Sequence, residues 1–256
     1  MKRLFVSIGD SQLHVRRSGE GPPVILMHPS PQSGAFSGPM LHRLAKNFTA
    51  IAVDTPGYGL SDPLVGGYKG PALDDYVEPL VNLLDSLGID KAVFYGNATG
   101  AEIGHIFATA HPSRTAAVML DTVGDVSDDI VDKLVKGYFP DTTPRRDGGH
   151  LMTHWDMVRS LNLFAPWQSS KKENRLPVDM PPPDKIQEKL LDYLRCGRNY
   201  HLAYKPAFYT AKHQLISQIT VPTTITRWEG KPDLTEVDDL IAKGLPDNFS
   251  VLHAGP

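Results

Sequence analysis

Residues 93–104 read VFYGNATGAEIG, an apolar run that enters the frame Gly96-Asn97-Ala98-Thr99-Gly100 and leaves it as a helix-type segment. A strand, a sharp turn of small residues and a helix start together display one side chain at the tip of the turn. The helix beginning at Thr99 aims its free N–H groups and positive dipole end at the same spot. In a Gly-x-Ser-x-Gly frame the displayed residue is a nucleophile. Here it is Ala98, whose methyl has no lone pair, so covalent catalysis through residue 98 is excluded. An ordinary strand-to-helix connection with glycines has the same spelling, so the frame alone does not decide between the two.

Other residue types with chemical potential cluster farther along. Trp155, Phe164, Trp167, Tyr193, Tyr200, Tyr204, Phe208 and Tyr209 fall within about 55 residues of each other. Aromatics at this density either line a mostly apolar pocket or form the small core of the segment that carries them. His150 and His154 are four apart and share a helix face, but no third ligand accompanies them, so no metal site is expected. The lone Cys196 excludes a disulfide framework and reads as a small buried apolar residue.

The elements that must position these groups follow from periodicity. Lys2 to Ile8 and Leu13 to Arg17 flank Gly9-Asp10, a hairpin signal. Residues 22–28, 48–54, 91–97 and 115–121 are apolar runs of the kind buried on both sheet faces. Helical segments are expected from Pro39 to Lys46, from Leu73 to Leu87 with Gly88 as terminator, and from Thr99 to Ala110. Strand alternating with helix predicts a parallel sheet covered on both faces. Residues 124–215 break the pattern, with helical pieces from Ile130 to Lys136 and Ile186 to Leu194 and a Pro-rich stretch at 176–184. The alternation resumes with 223–230, a helix from Thr235 to Ala242 and a last strand at 249–255. One α/β domain is expected, made of 1–123 and 216–256, with a helical insertion at 124–215.

Composition narrows the function classes. A hydrophobic fraction of 41% in 256 residues is that of an ordinary globular chain with a sizeable core. A net charge of -3 provides no basic field for nucleic acid or acidic membranes. No apolar run reaches membrane-spanning length, and the start MKRLFVSIGDSQ lacks the apolar stretch of a secretory signal, so a soluble cytoplasmic protein is expected. The oligomeric state is left open.

VILMHPSPQSG at 24–34 and DTPGYGLSDP at 54–63 precede the 96–100 frame at intervals that, with it, resemble the α/β-hydrolase superfamily, in its capped epoxide-hydrolase- and dehalogenase-like branch. The resemblance spans nearly the whole chain. Two positions depart from it: Pro29 stands where the family has Gly, and Ala98 where it has Ser, Asp or Cys. GNATGA is similar to an uncommon branch that writes Thr-Gly-Ala after a non-serine residue. The resemblance implies an α/β-hydrolase fold with a helical cap at 124–215 and no cofactor. It implies an oxyanion hole from the backbone N–H groups of Thr99 and Ser30, with His28 shaping the loop. It implies His253, after the last strand, as catalytic base. Asp233 is the favoured acid to orient it, and Asp121, ending the strand before the insertion, the alternative. Trp155, Phe164 and Trp167 are then candidates to line the substrate pocket. The family's sheet carries a further C-terminal helix, which is expected to be missing here because the chain stops three residues after His253.

The expected function is hydrolase-like chemistry on a small, largely apolar molecule, with a His–Asp pair and an oxyanion hole but no serine nucleophile. The alternatives are a non-catalytic ligand-binding member of the fold and a hydrolase inactivated by Ser-to-Ala replacement or by C-terminal truncation.

Overall fold

The computed structural model describes residues 1–64, 71–124, 127–210, 216–229 and 237–255. Eight strands form one sheet in the order β1-β2-β4-β3-β5-β6-β7-β8. β1 (Lys2–Ile8) and β2 (Ser11–Ser18) are the antiparallel hairpin read from the sequence, turning at Gly9 with φ 65. β2 pairs antiparallel with β4 (Thr49–Val53). β3 (Pro23–Met27), β5 (Ala92–Asn97), β6 (Thr115–Asp121), β7 (Thr223–Trp228) and β8 (Phe249–Ala254) continue it in parallel. The central strands are continuous apolar runs because helices cover them.

α2 (Val77–Ser86) and α3 (Thr99–Ala110) pack on one face, where Ile25, Ile51, Phe94, Leu120 and Ile225 meet Leu83, Ile103 and Phe107. α1 (Gly38–Leu44) covers part of the other face through Leu41, against Val24, Leu26, Ala50, Ala52 and Tyr95. Beside it this second face holds a groove of about 790 Å³, whose walls include Met40, Phe48, Val93 and Met119. The expected helix at 73–87 opens with a tighter turn, Leu73–Tyr76, before α2, and Gly88 at φ 65 ends it.

Between β6 and β7 lie α4 (Asp128–Val135), α5 (Gly149–Leu161), α6 (Pro183–Cys196) and α7 (Tyr204–Phe208). Met157, Val158, Ile186, Tyr193 and Tyr200 from this segment join the same apolar cluster as α2 and α3. The last helix, α8 (Val237–Ala242), buries Val237 and Leu240. Its expected start at Thr235 lies outside the described residues.

Candidate active site

The parallel strands run outward from β3 in two directions: β4 lies on one side of it, and β5 through β8 on the other. Loops leaving neighbouring strands at such a reversal diverge, and the crevice between them is where open α/β sheets bind ligands. β3 and β5 are those neighbours, with Met27 in register with Gly96. The loop after β3 carries Ser30, and the turn after β5 carries Ala98.

Ala98 has φ 47 and ψ -116, backbone territory that L-residues avoid and that persists only when the surroundings enforce it. Its N–H donates to the Asp121 carbonyl at 2.9 Å, and its own carbonyl accepts from Ala101 at 2.8 Å and Glu102 at 3.0 Å. The flanking glycines are obligatory. A Cβ on Gly96 would collide with the Gly100 carbonyl, and one on Gly100 would lie 2.5 Å from the carbonyl oxygen of Met27. α3 starts at Thr99, whose N–H is among the first four of the helix and lacks an intrahelical acceptor. Ser30 and Thr99 are both buried.

Beneath the loop after β3 sits a fully buried carboxylate, Asp54. Its Oδ1 accepts from Arg16 Nη1 at 2.6 Å and the Gly34 N–H at 2.7 Å. Its Oδ2 is bonded to His14 Nδ1 at 2.9 Å and accepts from the Leu60 N–H at 3.0 Å. Burial pushes this carboxyl's pKa up, but neighbouring His28 and Arg16 and the two amides outweigh it and hold it below the ordinary value. His28 itself accepts from the Thr55 N–H at Nε2 (3.0 Å) and so presents Nδ1–H to the Pro29 carbonyl (3.0 Å). Burial lowers its pKa. Gly34 belongs to the loop after β3 and Leu60 to the loop after β4, so one carboxylate fixes both.

Sequence reasoning missed this network, though a signal was present. His14 and Arg16 are two residues apart on β2 and face the same side, and both are buried. Two basic groups on one inward strand face require a buried acid.

Asp121 ends β6 with its carboxylate buried. Oδ2 accepts from Tyr95 Oη at 2.7 Å, and Oδ1 from Trp228 Nε1 at 2.6 Å. These three side chains share the wall of the groove on the α1 face. The next residue, Thr122, holds φ 59, a strained value for a β-branched side chain. His253 lies in β8, exposed, opposite Arg227. Its nearby charge is Asp238, which Arg227 binds bidentately. β8 is three strands from β5 and two from β6, roughly 14 and 10 Å at ordinary strand spacing, and among the described residues no hydrogen bond or ion pair joins His253 to Asp121. Asp233 lies outside the described residues.

Trp155, Phe164 and Trp167 are half-buried. Trp155 and Trp167 pack against the main apolar cluster, and Trp167 Nε1 donates to the Tyr138 carbonyl at 3.2 Å. The Arg175 guanidinium lies over the Phe164 ring, 5.7 Å from its centre. Tyr138, missed in the sequence, contacts Phe139, Trp167, Tyr204 and Phe208 edge-on. Many of the aromatics thus form the helical segment's own core. His154 is buried with its ring against Tyr193 and Tyr200, and burial lowers its pKa. Among the described residues no group of three metal-ligating side chains occurs, and no helix is long and apolar enough to cross a membrane.

The family model for the alpha/beta hydrolase fold matches residues 22–226. The chain belongs to the alpha/beta hydrolase fold family. It is 33% identical to 2-(acetamidomethylene)succinate hydrolase of Mesorhizobium japonicum over 114 residues, 44% of this chain and 40% of that protein. To epoxide hydrolase 3 of Siraitia grosvenorii it is 30% identical over 120 residues, 46% of this chain and 38% of that one. The match to each of these two curated relatives spans about two fifths of its length. An epoxide hydrolase from Vigna radiata superposes with a TM-score of 0.75 at 17% identity, over 99% of this chain and 90% of that one.

Proposed function

We propose that the chain acts as a hydrolase-fold protein on a small, largely apolar molecule carrying a carbonyl group. The carbonyl oxygen sits against the backbone N–H groups of Thr99 and Ser30, above the Ala98 methyl. The observation that carries this reading is the Ala98 turn: its strained dihedrals and close-packed glycines keep the geometry of a displayed nucleophile although the nucleophile is absent. Strain of this kind costs about 1–3 kcal/mol and has no value to an ordinary connection. Two fixed donors in that position stabilise developing negative charge, by roughly 3 kcal/mol each in enzymes where one has been removed. With no oxygen at residue 98, bond cleavage requires water, activated by His253 as general base and oriented by Asp233 or Asp121. For His253 to serve, the end of β8 must move toward the turn when ligand binds. The helices between β6 and β7 act as a cap, with Trp155, Phe164 and Trp167 contributing apolar surface.

A second reading, a non-catalytic ligand-binding member, is favoured by the Ala98 methyl and by the exposure of His253. Hydrolysis of a neutral aryl acetate by the chain and by Ala98→Ser separates the two. The hydrolase reading expects the serine variant to gain about tenfold or more, and His253→Ala to abolish that gain. A serine variant no faster than the parent would favour the binding reading.

A further inference from the structure

The groove on the α1 face is apolar along its length, where Met40, Leu44, Phe48, Val93 and Met119 form the wall, and its two ends differ in charge. α1 follows the end of β3 and leads back to the start of β4, so it runs against the strands. Arg43, late in α1, therefore marks the same end as Val24 and Val93 at the strand starts. Asp121 and Trp228, at the ends of β6 and β7, mark the other. From Val93 to Asn97, both in the wall, β5 covers four residue steps, roughly 13 Å at ordinary strand rise.

The Asp121 end lacks a counter-charge. This residue is 4% exposed, and its carboxylate is held by neutral donors: Tyr95 Oη at 2.7 Å, Trp228 Nε1 at 2.6 Å and the Thr122 hydroxyl at 3.4 Å. Among the described residues no cation pairs with it. Arg227, beside Trp228 in sequence, turns to the opposite face of β7 and is held by Asp238. Neutral donors satisfy the oxygens of a carboxylate but do not cancel its charge, and a withdrawn charge without an opposite one is costly. Ser37, which also lines the groove, is 3% exposed, and its hydroxyl has no hydrogen-bond partner.

These features suit an organic cation with an apolar tail. An ammonium against Asp121 supplies the missing charge, and the Tyr95 and Trp228 rings beside it favour a cation over a neutral head. Arg43 repels a cation from the far end, which fixes the direction in which such a ligand lies. Ala98, Thr99 and Ser30 do not line the groove, so it is separate from the carbonyl site and does not depend on it.

We propose that this groove is a second ligand site, built for a primary alkylammonium: the ammonium pairs with Asp121 beside Tyr95 and Trp228, and the alkyl chain runs along Val93 and Met119 toward Arg43.

Calorimetric titration of the chain as it stands tests it. The probes are straight-chain primary ammonium salts of about six to ten carbons, lengths that bracket the groove, each paired with the alcohol of equal length at constant ionic strength. At least one ammonium is expected to bind about tenfold or more tightly than its alcohol. Asp121→Asn should abolish that preference. Val93→Trp, which fills the groove from its wall without touching the carboxylate, should weaken the ammonium about tenfold or more, and it decides the location where the Asn protein does not fold. No preference for any ammonium, a preference that survives in folded Asp121→Asn, or undiminished binding by folded Val93→Trp would overturn the proposal. Sedimentation at the titration concentrations runs alongside. A dimer that Val93→Trp dissociates would mean that a second copy of the chain occupies the groove, and would also overturn it.

Discussion

Replacing Asp54 by Ala removes the acceptor for four donors at once. Arg16 Nη1, His14 Nδ1 and the amides of Gly34 and Leu60 all end on this carboxylate, and it has no exposed surface. Removing one member of a buried ion pair costs about 3–5 kcal/mol, chiefly because the surviving charge stays buried unpaired. For a chain of this length each kcal/mol lowers Tm by about 2–4 °C, so Asp54→Ala is expected to melt roughly 6–20 °C lower. Asp54→Asn should cost less: its oxygen can still serve Arg16 and Gly34, and the Leu60 amide then faces an NH2 group. The pH dependence has a defined sign. A carboxyl whose folded pKa is depressed stabilises fully above its unfolded value of 3.8, and that stability is lost as pH falls through the lower folded value. The parent should therefore lose its advantage over Asp54→Asn only in strongly acidic solution. Thermal melts of the three proteins at neutral pH, and acid titrations of the parent and Asn forms, measure both effects. An Ala variant melting within 2 °C of the parent (the lower bound of about 6 °C being well outside error) would refute the assignment of Asp54 as the anchor of both loops.

Three further outcomes are expected. Gly100→Ala should cost about 3 kcal/mol or more, because the new methyl meets the backbone of Met27 and His28 and not a movable side chain; denaturant unfolding measures it. Asp192 is raised above the ordinary carboxylate value by burial, which the Ser33 hydroxyl, Arg195 and His28 only partly oppose. Its folded state therefore holds a proton more tightly than the unfolded chain, and stability should decline as pH rises from 3.8 through the raised value. Asp192→Asn should remove that part of the slope in chemical denaturation followed across this range. The Cys196 thiol is buried, and burial pushes its pKa up to about 12, so a thiol-specific disulfide reagent should label the native protein only as fast as it unfolds.

The turn at Ala98 was legible in the sequence because every level agreed. The apolar run, the two glycines and the helix start each demanded the same local geometry, and α3 and β6 begin and end where the residue pattern placed them. The hairpin of β1 and β2 was readable for the same reason. α5 was harder to bound, because its inward face uses His154 beside Met157 and Val158, and histidine does not register in an apolar stripe. The Asp54 network was not legible as a motif because its members come from β2 and from the loops after β3 and β4, which only tertiary structure brings together. The aromatics of the 124–215 segment could be counted but not assigned. Whether a ring lines a pocket or packs on Tyr138 depends on helix rotations that composition does not encode. His253 was placed by its position in the chain alone, and the sheet order then put two strands between it and the turn.

The most direct test of the central claim is a crystal structure of the chain soaked with a neutral aryl ester, which Ala98 cannot attack. The account expects the ester's carbonyl oxygen within about 2.7–3.1 Å of the amide nitrogens of both Thr99 and Ser30, with its acyl carbon over the Ala98 methyl. An ester bound elsewhere, or bound here with its carbonyl turned away from those two amides, would contradict it.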